Sequence, residues 1–199
     1  MSATPIPFLV GISGPSGAGK SYLSSLLAND LGSARVISLD WFFEIPEDGV
    51  YTNYLDIRCY NVEEFLANLG ELLNGKAVRV PKIDFEDFRR VGFQTIEPCD
   101  IILAEGMALF RIPEIYAVLD ISFFLSPPPE VVHGRKFARD TLERKRPREE
   151  IEAQLRWVMS EWQMDLEKLP SQVQVIDSPD PYPFIFASIN AGAVLRKKQ

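Results

Sequence analysis

Gly14-Pro15-Ser16-Gly17-Ala18-Gly19-Lys20-Ser21 decides how the rest of the chain is read. Its spacing is Gly-x-x-x-x-Gly-Lys-Ser, the pattern of a phosphate-binding P-loop. The flanks supply the context that the pattern needs. Before it, Ile6, Phe8, Leu9, Val10 and Ile12 form a short apolar run, which predicts a buried parallel strand. After it, Leu23, Leu26, Leu27 and Leu31 recur at helical spacing over Tyr22 to Leu31. Strand, glycine turn and helix in this order aim several backbone N–H groups at one point, and the helix N-terminus adds partial positive charge. Gly14, Ser16, Gly17, Ala18, Gly19, Lys20, Ser21 and Tyr22 are therefore the candidate nucleotide-binding residues. Lys20 is expected to reach the β- and γ-phosphates, and Ser21 to offer its hydroxyl to Mg²⁺.

Composition narrows the class. The chain has 199 residues, 46% hydrophobic and 25% charged, enough for one packed domain spanning 1–199. A net charge of −7 argues against a general nucleic-acid binder. Cys59 and Cys99 lack metal or redox spacing, and Met1 to Pro7 is too short for a signal peptide. No apolar run approaches the ~20 residues of a membrane helix. A cytoplasmic protein with no membrane partner is expected, and a homo-oligomer stays open. His133 has no metal-ligand companions and reads as a solvated helix residue.

Further along, Arg35 to Leu39 reads as a second strand that delivers Asp40 to the edge where open α/β sheets bind ligands. That residue fits a general base or a magnesium partner. The plainer alternative is an N-cap for the following turn. Glu44 to Asn61 is an irregular stretch long enough for a binding loop and contains Asp56. Val62 to Asn74 has helical periodicity, with Asn61 and Glu64 as an approximate capping box. Arg79 to Arg90 reads as an edge hairpin. Ile101 to Ala104 is a core strand with Asp100 at its start and Glu105 at its end. Five residues span roughly 16 Å, so Glu105 and not Asp100 lies at the phosphate edge. Glu105 is the expected acidic partner of Mg²⁺. Val118 to Leu125 reads as a fourth strand and Val173 to Ile176 as a fifth.

The densest basic stretch holds Arg135, Lys136, Arg139, Arg144, Lys145, Arg146 and Arg148, seven of 21 basic residues within 14 positions. Such a run is often a solvated face. Beside a P-loop and two carboxylates it fits a lid over about 135–150, because phosphoryl transfer is catalysed by positioning and cationic stabilisation. The aromatics of the following helix, from Arg148 to Leu169, read as core. Asp177 to Pro181 turns at the ligand edge and could border the adenine.

Taken together, these pieces resemble the uridine kinase / phosphoribulokinase family of P-loop kinases, whose relatives include nicotinamide riboside and pantothenate kinases. The resemblance runs from about Pro7 to Ile176. It is carried by the P-loop, Ile37-Ser38-Leu39-Asp40-Trp41-Phe42, Asn74-Gly75-Lys76 with Val80-Pro81 and Ile83-Asp84-Phe85, Glu105-Gly106, and Arg135-Lys136 through Arg139-Asp140 to Arg146. It implies a three-layer α/β/α fold with a five-stranded, mainly parallel sheet, a lid, and a substrate-side insertion over about 44–96. It also implies an ATP- and Mg²⁺-dependent phosphotransferase acting on a hydroxyl of a small-molecule substrate, such as a nucleoside or ribose-like sugar. By the same resemblance, Asp40 is the base, with Lys20 and Arg139 completing the catalytic set. Ser21, Glu105 and Asp40 serve the metal. Arg139, Arg144 and Arg146 meet the phosphates, and Asp56, Lys136 and Gln154 hold substrate hydroxyls. Ile83 and Phe88 stand where uridine kinases carry a Tyr and a His, and Lys145 stands where a glycine is usual. A kinase for nicotinamide riboside, pantothenate or a sugar is the alternative within the family. A regulatory P-loop ATPase without a small acceptor is the alternative outside it.

Overall fold

A computed structural model describes residues 6–44, 55–86 and 89–196. In chain order the elements are β1 (Phe8–Ser13), α1 (Lys20–Asp30), β2 (Ala34–Ser38), α2 (Val62–Leu73), β3 (Val78–Asp84), β4 (Arg89–Ile96), β5 (Ile101–Glu105), α3 (Pro113–Tyr116), β6 (Ile121–Leu125), α4 (Pro129–Leu142), α5 (Arg148–Lys168), β7 (Gln174–Ile176) and α6 (Tyr182–Arg196).

Five strands form one parallel sheet in the order β2-β5-β1-β6-β7. Its central strands are apolar on both faces, as a sheet covered by helices on both sides requires. Period-2 alternation sorts the side chains. Phe8, Val10 and Ile12 of β1, Ile101 and Leu103 of β5, and Phe123 and Leu125 of β6 pack with Leu23 and Leu27 of α1 and Ile185 and Ile189 of α6. The opposite residues, Leu9, Ile37, Ile102 and Ala104, pack with Phe65, Leu69 and Leu72, which lie on one face of α2. Phe124 turns to the same side and meets Val132 of α4 and Trp162 of α5. The result is the three-layer α/β/α arrangement, and the main sheet is parallel throughout.

The chain winds from β1 to β2 on one side, then crosses from β5 over β1 to β6 on the other. Open α/β sheets bind ligands at such a reversal, beyond the carboxyl ends of the strands. Register sets that edge closely: Glu105 is paired with Ile12 on one side and Ser38 on the other.

β3 and β4 form a separate antiparallel pair, so the expected hairpin is present but does not extend the main sheet. The fourth strand of the main sheet is shorter than its apolar sequence suggests. It begins at Ile121, because Val118 and Leu119 close the turn after α3 with N–H bonds to Ile115 and Tyr116 carbonyls. Asp120 then accepts the Leu9 N–H at 2.7 Å, which fixes the start of β6 against β1. Asn61 caps α2 by accepting the Glu64 N–H at 3.0 Å, as expected. Among the described residues, no helix is long and apolar enough to cross a membrane.

Candidate active site

The P-loop turn between β1 and α1 is held from inside and from above. Lys20 Nζ donates to the carbonyls of Gly14 at 2.9 Å and Pro15 at 3.2 Å, which holds the ammonium within the loop. Burial pushes its pKa below the ordinary lysine value, opposed by the charges of Asp40 and Glu105. Gly17 has φ +96°, and a Cβ there would sit 2.7 Å from the Val132 carbonyl oxygen of α4. A glycine is thus required both by the backbone and by the close seat of α4 on the loop.

Two carboxylates meet at the same edge. Glu105 ends β5 and is 3% exposed; its Oε1 accepts from Ser21 Oγ at 3.2 Å. Asp40 lies two residues past the end of β2, in a 3-10 turn over Leu39–Phe42. Ser38 caps that turn by accepting the Asp40 N–H at 3.3 Å, so the Asp40 carboxylate is not the cap. Gly106 lets the two segments approach: a Cβ there would lie 2.8 Å from the Leu39 Cβ and 3.5 Å from Asp40 Oδ1.

Burial raises the Asp40 carboxyl, opposed by the Lys20 ammonium. Burial, and then the Asp40 charge, push Glu105 up to about 7. Asp40 Oδ1 and Glu105 Oε2 are buried with no hydrogen-bond partner among the described residues. Two orphaned acidic oxygens beside a serine hydroxyl are a donor set that suits a divalent cation bound jointly with phosphates.

A cleft of about 860 Å³ joins these groups. On the P-loop side it runs past Ala18 to Tyr22 and reaches Pro179, Asp180 and Pro181, the turn expected to border an adenine. Arg135 of α4 bridges the two segments. It donates to the Ala18 carbonyl at 3.2 Å and the Pro179 carbonyl at 3.1 Å. Beyond Asp40 the walls are Trp41, Phe43, Tyr60, Phe85, Met107 and Trp157. Trp162 of α5 is buried as expected, and Trp157 packs against the core while one side of it also lines the cleft.

The basic residues of α4 and the start of α5 close the cleft. Arg139 donates to Ser16 Oγ of the P-loop at 3.2 Å. Lys136 and Arg146 both donate to Gln154 Oε1, at 3.0 and 2.9 Å. Lys136, Arg139, Arg144, Arg146 and Gln154 all line the cleft. The remaining substrate candidates lie elsewhere. Asp56 caps the 3-10 turn Ile57–Cys59 and is ion-paired with Arg58 at 2.6 Å, outside the cleft lining. Ile83 is buried in β3; the residue of that strand's end which faces the cleft is Phe85. Phe88 lies outside the described residues. The sequence places Arg135 only within the basic lid stretch and does not single out the aromatic walls, because spacing on a helix shows a shared face, not what the face touches. His133, read as solvated, is exposed on α4 and stacks on Phe137.

Residues 9–176 match the family described as phosphoribulokinase / uridine kinase. A uridine kinase of Brevibacillus brevis is 30% identical over 156 residues, covering 74% of this chain and 73% of that protein. Uridine kinase-like protein 4 of Arabidopsis thaliana is 30% identical over 148 residues, 70% of this chain but 31% of the plant protein. Among solved structures, one described as a putative fructose transport system kinase from Silicibacter sp. TM1040 superposes with a TM-score of 0.70 at 23% identity, over 88% of this chain and 92% of that one. The P-loop, the acidic pair at the carboxyl edge and the matched span agree: the chain belongs to the phosphoribulokinase / uridine kinase family and is an ATP-dependent kinase of a small metabolite.

Proposed function

We propose that the protein transfers the γ-phosphoryl group of ATP to a hydroxyl of a nucleoside or ribose-like sugar. The observation that carries this reading is the pair of buried, unpartnered oxygens, Asp40 Oδ1 and Glu105 Oε2, in one cleft with Lys20 and the lid arginines. The nucleotide lies along the P-loop, with its phosphates on the backbone N–H groups and Lys20. Ser21 and Glu105 would hold Mg²⁺, which would supply charge neutralisation on the phosphates. Asp40 accepts the proton of the acceptor hydroxyl and aligns it for in-line attack. Its carboxyl, raised by burial, suits a base that must take up a proton. Arg139, Arg144 and Arg146 meet the charge that builds up on the transferred group. Trp41, Tyr60, Phe85 and Trp157 hold the acceptor and exclude water, which protects ATP from hydrolysis.

A sugar or sugar acid is the second reading for the acceptor. Ile83 is buried and has no polar side-chain atom with which to read a pyrimidine edge. The fold neighbours described as a putative fructose transport system kinase and a D-glycerate 3-kinase make those acceptor classes worth including.

An ADP-release screen decides between them. Purified protein with ATP and Mg²⁺ is tested against uridine, cytidine, nicotinamide riboside, pantothenate, common sugars and glycerate. The expected result is one acceptor raising turnover far above background. High ATP hydrolysis independent of any acceptor would point instead to a regulatory ATPase.

A further inference from the structure

The α4–α5 corner contains a carboxylate that the phosphotransfer scheme above leaves without a task. Asp140 is 0% exposed and sits among the lid cations. Its Oδ2 accepts from Lys136 Nζ at 2.5 Å. Its Oδ1 accepts from Arg139 Nε at 2.8 Å and lies 3.5 Å from Arg144 Nη1. Its backbone carbonyl accepts the Arg146 N–H at 3.0 Å. That last contact depends on Lys145, whose φ of +50° turns the chain back between the two helices.

One residue therefore touches four basic residues of the lid. The chain of contacts runs on at both ends. Arg139 reaches Ser16 in the P-loop, and Lys136 reaches Gln154 in α5. Burial alone would raise the Asp140 carboxyl, but hydrogen bonds from Lys136 and Arg139 hold it below the usual carboxylate range. It is a permanent anion among cations whose expected partners are phosphates.

Two consequences of such an anion oppose each other. As a bare counter-charge, Asp140 would weaken phosphate binding by partly neutralising the lid. As an anchor, it would strengthen binding by holding long, flexible arginine side chains in one orientation before the phosphate arrives. Packing favours the second. A buried carboxylate with both oxygens engaged is fixed, and arginine loses much rotamer freedom when it is ordered. A lid ordered in advance has already met that entropy cost.

We propose that Asp140 is a positioning residue: it preorganises Arg139 and Arg144 for the γ-phosphate. The inference rests on the kinase reading of the cleft but not on which acceptor it takes. The test compares binding of MgADP with binding of the non-hydrolysable MgATP analogue AMP-PNP, by titration calorimetry. Asp140→Asn should weaken AMP-PNP roughly ten-fold and leave ADP within about two-fold. In an Arg139→Ala background the same change should have much less effect, because the two act as one unit. Lys136→Met combined with Asp140→Asn removes the buried pair together, avoids stranding a lysine charge, and should show the same selective loss.

Tighter AMP-PNP binding by Asp140→Asn would make the residue a counter-charge and overturn the proposal. Equal weakening of ADP and AMP-PNP would mark a merely structural role and overturn it too. Wild-type protein that binds neither nucleotide would overturn the kinase reading, and this inference with it.

Discussion

Ser21 Oγ donates to Glu105 Oε1 at 3.2 Å, joining the first turn of α1 to the end of β5 across 84 residues of sequence. The bond leaves Glu105 Oε2 buried and unpartnered next to Asp40. Two carboxylates brought together where burial disfavours charge repel, which raises the proton affinity of the pair.

That raised affinity has a measurable effect on stability. Glu105 titrates near 7 when folded and near its ordinary value of 4.5 when unfolded. Between those pH values the native state binds more protons than the unfolded chain, so stability of the nucleotide-free protein falls as pH rises from about 4.5 to 7. Glu105→Gln should flatten this part of the Tm-versus-pH curve. An unchanged slope in the variant would assign the proton elsewhere.

Asp40→Asn keeps the shape of the side chain and removes the base. Phosphoryl transfer to the acceptor found by the screen should fall about 10²- to 10⁴-fold, the usual worth of general base catalysis. The KM for ATP should change little, because the P-loop contacts remain. Undiminished kcat would remove Asp40 from the role of base.

Gly17→Ala puts a methyl group 2.7 Å from the Val132 carbonyl oxygen and 3.0 Å from the Lys136 Cβ, at φ +96°. Either the loop or α4 must move. MgADP binding should be lost or weakened by more than ten-fold, while far-UV circular dichroism stays that of the wild type. Native-like MgADP affinity would show that α4 can shift without disturbing the P-loop.

Arg111 fastens α5 to the loop after β5. Its guanidinium contacts Glu161 at 3.0 Å and Asp165 at 2.6 Å, all three side chains being largely shielded. Arg111→Met leaves two neighbouring carboxylates unpaired and should destabilise the protein by about 2 kcal/mol in urea unfolding. A change below about 0.5 kcal/mol would place these contacts among ordinary surface pairs.

The sheet edge was legible in the sequence because strand ends carry their own signals. Apolar runs end at Ser38 and Glu105, and counting residues along β5 separates Asp100 from Glu105. The P-loop needs only local spacing, and α2 only its periodicity and Asn61 cap. The remainder depends on contacts distant in sequence. Nothing in the 131–142 stretch alone says that Arg135 meets Pro179 or that Asp140 is completely shielded. Trp157 and Trp162 differ by five positions on one helix, so they point different ways, and only packing against the sheet decides which faces the cleft. Ile83 reads as a strand residue, but the face it takes is set by the pairing of β3 with β4, whose register shifts between Lys82 and Ile83.

The hairpin's separation from the main sheet bears on how such an enzyme can diversify. β3 and β4 hydrogen-bond to each other, and β3 rests on α2 and the Leu39–Phe42 turn through side chains. Its end presents Phe85 to the cleft, beneath the Arg144 guanidinium. Substitutions at that end leave the ladder of the parallel sheet, and so the register that sets Glu105 beside Ile12 and Ser38, unaltered. The cleft wall can therefore vary on the hairpin while the strand register beneath the P-loop is inherited intact.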